Sequence, residues 1–143
     1  MEKLAMEQRL TIIALGVNDL QVSNTFYEKV FGWKKLDSSN ENITFFQLNG
    51  ILLSLYPRDK LAEDAEVSAE GSGFKGFSLA YNTRSEEEVD DLIDTLEAKG
   101  ANIVKRPQKV FWGGYSSYIA DPNGHLWEIA FNPYLPLDSD GNV

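Results

Sequence analysis

The chain repeats one order of predicted elements, and this internal repeat limits the possible folds more than any other feature. The first half predicts a strand, a helix, a short strand and a hairpin at residues 10–17, 20–31, 33–36, 43–48 and 51–56. The second half predicts the same elements at residues 75–81, 85–99, 101–104 and 115–131. Asn-Gly dipeptides, Asn49-Gly50 and Asn123-Gly124, occupy the hairpin turn in both halves. The repeat therefore predicts two βαβββ modules.

Local signals support the helices and the first hairpin. Asn18 or Asp19 can cap the first helix, and Ser85 with Glu88 three residues later forms a capping box at the start of the second. A glycine follows each helix, as is typical of a left-handed C-terminal residue. The dipeptide Asn49-Gly50 predicts a type I′ turn, with positive φ at both residues.

The predicted fold class is α+β, in a single domain that covers residues 1–143. Module one covers about residues 8–57, an acidic connector about 58–73, and module two about 74–134. Neither half alone can cover both faces of its sheet. We therefore expect the two half-sheets to join through paired strands into one concave, curved mixed sheet with the helices outside.

Composition excludes several functions. The chain has 13 basic and 22 acidic residues, so its formal net charge is 13 − 22 = −9, and it has no cysteine and one histidine. Thiolate metal sites and cysteine nucleophiles are excluded, and an imidazole-rich metal site lacks ligands. The acidic balance argues against a nucleic-acid partner. The sequence has no secretory signal and no apolar run long enough for a membrane helix, which predicts a cytoplasmic protein without a membrane partner.

Two segments resemble a known family. Residues 16–27 with residues 30–32, and the closing Asp-Pro-Asn-Gly-His-Leu-Trp-Glu-Ile of residues 121–129, resemble the vicinal oxygen chelate superfamily. That superfamily includes glyoxalase I, extradiol dioxygenases and bleomycin resistance proteins. The resemblance covers about residues 10–133 and implies the glyoxalase-like fold. It also implies a homodimer.

The resemblance implies four inward positions that hold a divalent ion in the family's metalloenzymes. In this chain they fall on Ile12, Ser54, Phe77 and Glu128, of which only Glu128 matches a family ligand. His125 is three residues from Glu128, an odd spacing that places the two side chains on opposite faces of a strand. Three or more ligands are the norm for a bound transition metal. We therefore predict no metal and no other cofactor.

The remaining site is an apolar cleft beside Glu128 that binds a small, aromatic or cationic molecule. Period-two spacing predicts that further residues share the inward face: Ala14, Leu52, Tyr56, Leu79, Leu126 and Ala130. Trp112 can stack on a flat ligand from a loop with two glycines, or can pack in the core. The candidate ligand-binding residues are Ile12, Ser54, Phe77, Trp112, Tyr115, Tyr118 and Glu128.

The sequence leaves the role of Glu128 open. It can act as a catalytic acid or base, anchor a cationic ligand, or be a structural carboxylate bonded to Tyr115, Ser117 or Tyr118. The first functional hypothesis is a metal-free small-molecule-binding protein of the bleomycin-resistance type. The alternatives are a lyase or isomerase with Glu128 as base, a dioxygenase-type enzyme of the same superfamily, and an interaction domain with a vestigial cleft.

Overall fold

The computed structural model describes residues 6–143 and confirms the predicted α+β class. A turn of π-helix at Phe26–Val30 continues the first α-helix, so residues 20–30 form one helical rod. The elements in chain order are β1 (Ile12–Val17), α1 (Leu20–Thr25), the π-turn, β2 (Thr44–Gln47), β3 (Leu52–Pro57), α2 (Arg58–Asp64), β4 (Leu79–Thr83), α3 (Glu86–Ala98), β5 (Asn102–Lys109), β6 (Tyr115–Ala120) and β7 (Leu126–Phe131).

The strands form two separate mixed sheets. Sheet one has the order β1-β3-β2, with β1 parallel to β3, and sheet two has the order β4-β7-β6-β5, with β4 parallel to β7. The first strand of each module thus lies at a sheet edge. The expectation that paired strands join the two half-sheets within one chain is wrong. Within residues 6–143, β1 and β4 do not pair with each other.

Module one follows its local signals with two differences. Asp19 caps α1, accepting a hydrogen bond from the Val22 amide at 3.1 Å. The short strand predicted at residues 33–36 is reduced to a single bridge between Lys35 and Phe46. The first hairpin turn is not type I′, because only Gly50, its second central residue, has positive φ (77°). That pattern fits a type II turn.

Module two begins its helix at the predicted N-cap with half of the predicted capping box, because the Glu88 side chain accepts from the Arg84 amide at 3.0 Å instead of from that of Ser85. Ser85 accepts a hydrogen bond from the Glu88 amide at 3.1 Å, and Gly100 has φ of 101° after the helix. The strand predicted at residues 101–104 is longer, because β5 extends to Lys109 with register shifts against β6. Pro107 fits within this strand because β5 lies at the sheet edge.

Side chains, rather than paired strands, hold the modules together. Tyr27 is fully buried, and its hydroxyl donates to Asp121 Oδ2 at 2.7 Å while accepting from Trp127 Nε1 at 3.1 Å. Asp121 Oδ1 accepts from the amides of Asn123 and His125, both at 2.9 Å. The ring of Tyr27 also packs on residues from both modules: Phe26, Phe31, Trp33, Phe46 and Trp127.

The helix α1 with the π-turn covers one face of sheet one, and α3 covers one face of sheet two. The helix α2 lies against Gly16, on the opposite face of sheet one. On β1, Leu15 and Val17 point into a core shared with the π-turn, while Ile12 and Ala14 on the other face are exposed. Within residues 6–143, no helix has the length and apolar character needed to cross a membrane.

Replacing Tyr27 by Phe should lower the free energy of unfolding by about 1–3 kcal/mol, because the change leaves a carboxylate oxygen of Asp121 and the indole N–H of Trp127 buried without a partner. Urea denaturation followed by circular dichroism measures this. Tyr134→Phe at an exposed position is the matched control and should change stability by less than about 0.5 kcal/mol. Equal stabilities of the two variants would contradict the assigned role of Tyr27.

Candidate functional site

Glu128 lies on the sheet-two face that points away from α3. Its neighbours on the adjacent strands are Ala80 of β4 and Tyr118 of β6, whereas Trp127 and Ile129 point into the core. Residues paired across neighbouring strands share a face. Of the two candidates Ser117 and Tyr118, it is therefore Tyr118 that lies beside Glu128.

The hydrogen-bond partner of Glu128 is a residue that the sequence analysis did not propose. Ser116 Oγ donates to Glu128 Oε2 at 2.6 Å. Ser117 is buried on the opposite face, where it donates to the Ile129 carbonyl, and the Tyr115 hydroxyl donates to Asp90 of α3 at 2.7 Å. Tyr115 therefore belongs to the helix-covered side. Ser116 lies two residues before Tyr118, so the two share a strand face. Its contact with Glu128 could be inferred only with the register of the β6–β7 hairpin, which the sequence does not give.

The charge of Glu128 acts on its aromatic neighbour. The pKa of Tyr118 lies above its ordinary value, first because the phenol is partly buried and then because the Glu128 carboxylate is close. Glu128 itself is half-buried, and its Oε1 has no hydrogen bond to another residue in the described part of the chain. This oxygen is free to accept a proton or a donor from a ligand.

Trp112 lies on the same face as Glu128. A Cβ built on Gly114 would come within 2.0 Å of the indole, so the ring lies directly over that glycine. Gly114 is two residues before Ser116, so its missing side chain continues the face of Ser116 and Tyr118. We name this surface the Glu128 face and define it by Ala80, Trp112, Ser116, Tyr118 and Glu128. Trp112 is 38% exposed there, available to a ligand.

The two site residues from module one share a face of sheet one. Ala14 pairs with Ser54, and Ile12 lies two residues from Ala14, so Ile12 and Ser54 are on the same side of the sheet. Ile12 is 41% exposed and Ser54 is buried. No strand pairing joins this face to the Glu128 face within the described residues.

The predicted phase of the β4 region is wrong. Leu79 pairs with Trp127 and Ala80 with Glu128, so Leu79 faces the core instead of sharing a face with Glu128. Phe77 precedes β4 and its ring lies 5.9 Å from that of His125. The position that continues the Glu128 face is Ser78, two residues before Ala80. Phase depends on the parallel pairing of β4 with β7, which the local sequence does not encode.

His125 has a structural environment. It is 5% exposed, and its Nε2 lies 3.0 Å from the Gly16 carbonyl oxygen, which requires the proton on Nε2. The buried Nδ1 has no partner among the described residues. His125 and Glu128 lie on opposite strand faces, as the odd spacing predicts.

A comparison with known protein families assigns the chain to one superfamily. The model of the glyoxalase/bleomycin resistance protein/dioxygenase superfamily matches residues 9–129. The chain belongs to this superfamily.

Most of this chain is similar in sequence or structure to named relatives. A crystal structure of a glyoxalase-related enzyme from Fulvimarina pelagi is 39% identical, covers 96% of this chain and 97% of that chain, and has a TM-score of 0.84. The metallothiol transferase FosB of Lysinibacillus sphaericus is 32% identical over 123 residues, or 85% of this chain and 81% of the relative. A lactoylglutathione lyase of Arabidopsis thaliana is 28% identical over 130 residues, 85% of this chain but 44% of the relative.

The superfamily's divalent ion finds a poor donor set here. Ile12 and Phe77 have no donor atom, and Ser54 and Ser78 carry neutral hydroxyls, so Glu128 is the one carboxylate at these positions. Among residues 6–143, no three side chains of His, Cys, Asp or Glu gather in a way that could hold a metal ion. The residues present therefore do not fit a resident metal.

The pKa of Tyr118 offers a check of the Glu128 face. Glu128→Gln removes a nearby negative charge, so the pKa of Tyr118 should fall while staying above its ordinary value, because burial is the larger cause of the shift. NMR titration of ¹³C-labelled tyrosines measures this. Asp90→Asn is the control: it should lower the pKa of Tyr115, whose hydroxyl it binds, and leave Tyr118 unchanged. An unchanged Tyr118 in Glu128→Gln would contradict the geometry.

Proposed function

We propose that this superfamily member binds a small aromatic compound with a cationic or hydrogen-bond-donating group on the Glu128 face, without a metal ion. The observation that supports this most directly is that Oε1 of Glu128 has no partner among the described residues, on a strand face that also carries Trp112 and Tyr118. Trp112 and Tyr118 offer ring faces for stacking or cation–π contact, and the carboxylate offers a charge-assisted hydrogen bond. Ser116 holds the other carboxylate oxygen and so fixes its direction.

The surrounding charges favour a compound with one cationic group rather than several. Lys105 pairs with Tyr118 across β5 and β6 and so lies on the same side of the sheet. No carboxylate of the described chain lies within 4.0 Å of its ammonium group. The positive charge of Lys105 would repel a second cationic group of a polycationic ligand. A compact ligand with one cationic group beside Glu128 would avoid this repulsion.

Independence from metal is part of the proposal. The FosB relative is named a metallothiol transferase, but the positions expected to hold an ion in this chain supply one carboxylate and no imidazole. Fold similarity does not carry an activity when the site residues differ. We accordingly propose binding as the function and a cytoplasmic location as the setting.

Catalysis by Glu128 is the second candidate. An enzyme of the lyase or isomerase type, as in the name of the Arabidopsis relative, would use Oε1 as the base, since Ser116 occupies only Oε2. The hydroxyl of Ser116 would then keep the carboxylate oriented during proton transfer. A dioxygenase-type reaction has less support, because the expected positions lack the donors that an iron centre requires.

Calorimetric titration with benzylamine, whose ammonium group is both a cation and a hydrogen-bond donor at neutral pH, tests the proposal. We expect saturable binding that is unchanged by EDTA, and weaker binding by about 5-fold in Glu128→Gln, equivalent to about 1 kcal/mol for a partly exposed charge pair. Toluene, which has neither a charge nor a hydrogen-bond donor, should bind the parent and Glu128→Gln alike. Metal analysis of protein purified without chelator should show less than one ion per chain.

The matched control is Glu97→Gln, because Glu97 is an exposed carboxylate on α3 that pairs with Arg106. It should bind the probe as the parent does. Stoichiometric Ni, Zn, Fe or Mn, or binding abolished by EDTA, would contradict the metal-free proposal. Binding that is lost in Trp112→Ala but kept in Glu128→Gln would contradict the carboxylate anchor.

A homodimer is also proposed. The edge strands β1 and β4 have one neighbour each, and Ile12 on β1 is exposed, so these edges are available to a second copy of the chain. Sedimentation velocity should show a dimer at micromolar concentrations. Ile12→Lys should shift it toward monomer, whereas Val104→Lys on the edge strand β5 should not; a monomer at all concentrations would contradict the proposal.

A further inference from the structure

A crevice lies away from the Glu128 face, and no acidic residue of the described chain lines it. Two adjoining cavities, of about 410 and 400 Å³, share Gly16, Arg58, Lys75 and His125 in their walls. Neither cavity is lined by an aspartate or glutamate, although the chain has a formal net charge of −9. We name this pair of cavities the Arg58 crevice.

Arg58 is held in place at the centre of the crevice. Its Nε and Nη2 donate to the Ala69 carbonyl oxygen at 3.1 and 2.6 Å, which fixes the guanidinium plane. The lack of a side chain on Gly16 permits this position, because a Cβ there would lie 3.2 Å from Arg58 Cα. The Nη1 donors make no hydrogen bond to another described residue.

Neither cation of the crevice is neutralised. In the described part of the chain, no carboxylate lies within 4.0 Å of Arg58 or Lys75. An arginine with a fixed plane and free N–H groups suits the oxygen atoms of a carboxylate or phosphate, and a lysine adds a mobile point charge.

The two halves of the crevice differ in chemistry. One half is lined by polar and glycine residues next to the cations: Asn18, Gly71, Ser72, Gly73 and Asn123. The other half is lined mainly by apolar side chains from α2 and the following segment, together with Phe77. His125 lines both halves, and its ring is fixed there because its Nε2 is bound to the Gly16 carbonyl and its Nδ1 is buried.

We propose that the Arg58 crevice binds a small organic oxyanion, a carboxylate or phosphate ester with one apolar group. The anionic oxygens lie against Arg58 and Lys75, and the apolar group lies against Leu61 and Phe77. Glu128 lines neither cavity, so this site is separate from the Glu128 face and does not depend on the function proposed for it.

An NMR titration of the ¹⁵N-labelled full chain with phenyl phosphate tests the inference. We expect the amide signals of Gly71, Gly73 and Lys75 to shift with saturation, and the affinity to fall as ionic strength rises. Inorganic phosphate should bind more weakly because it lacks the apolar group. Benzyl alcohol should not shift these signals, because it lacks the charge.

Variants separate the crevice from other cationic surfaces. Arg58→Gln and Lys75→Gln should each weaken phenyl phosphate binding by about 10-fold or more, as expected for a lost charge-assisted contact. Lys34→Gln is the matched control, since Lys34 is another cation without a carboxylate partner in the described chain and lines a different cavity, of about 800 Å³. Lys34→Gln and Glu128→Gln should bind as the parent does.

Three results would overturn the inference: parent-like affinity in Lys75→Gln, shifts that map outside the crevice, or benzyl alcohol binding as tightly as phenyl phosphate. Equal affinity for inorganic phosphate would overturn the role of the apolar half. If Arg58→Gln fails to fold because the contact with Ala69 is lost, Lys75→Gln decides, since Lys75 makes no hydrogen bond to another described residue. If Glu128→Gln still binds phenyl phosphate, the result for the crevice is independent of the result for the Glu128 face.

Discussion

The buried carboxylate of Asp121 is the interaction on which both modules depend. One of its oxygens closes the turn between β6 and β7 through two amides, and the other accepts from Tyr27 of module one. The conformation of this turn sets the pairing of Ala120 with Leu126. The same strand register then pairs Tyr118 with Glu128. The same carboxylate therefore fixes how the modules meet and which side chains share the Glu128 face. Because the two sheets share no paired strands within residues 6–143, this contact and the aromatic core around it carry the cohesion that a continuous sheet would otherwise provide.

The Asp121 turn lines the Arg58 crevice and leads into β7, the strand that carries Glu128. Beyond the turn, β7 presents Glu128 on one face, while His125 at its start reaches the Gly16 carbonyl and forms a wall of the Arg58 crevice. The sites differ in charge: the Glu128 face offers a carboxylate beside Tyr118, and the cavities of the Arg58 crevice are lined by two cations and no acidic residue of the described chain. In a chain with net charge −9, long-range attraction favours cations everywhere, so an anion would be retained only by short-range contacts such as those of Arg58.

Features encoded by neighbouring residues were predictable from the sequence, and features set by strand pairing were not. The N-cap by Ser85, the cap by Asp19 and the glycine after each helix are local, and the structure agrees with them. The phase of Leu79 depends on β7, some 50 residues away, and a shift of one residue exchanges the two faces of a strand. The same limitation hid Ser116, since its contact with Glu128 requires the register of the whole hairpin. The separation of the sheets was equally unpredictable, because repeat symmetry is compatible with joining the modules within one chain or between two.

Strand alternation explains how this chain can keep the fold of its superfamily without the usual metal ligands. On β1, Leu15 and Val17 fill the core while Ile12 lies on the opposite face, and on β7, Trp127 and Ile129 fill the core while Glu128 lies on the opposite face. A substitution at the exposed Ile12 therefore changes the chemistry of its face with little effect on the contacts around Tyr27 and Asp121. Under the metal-free proposal, recognition comes from groups already held in place by the fold. Ser116 does this for Glu128 and the Ala69 carbonyl does it for Arg58, so each retained charge points in a fixed direction before any ligand arrives.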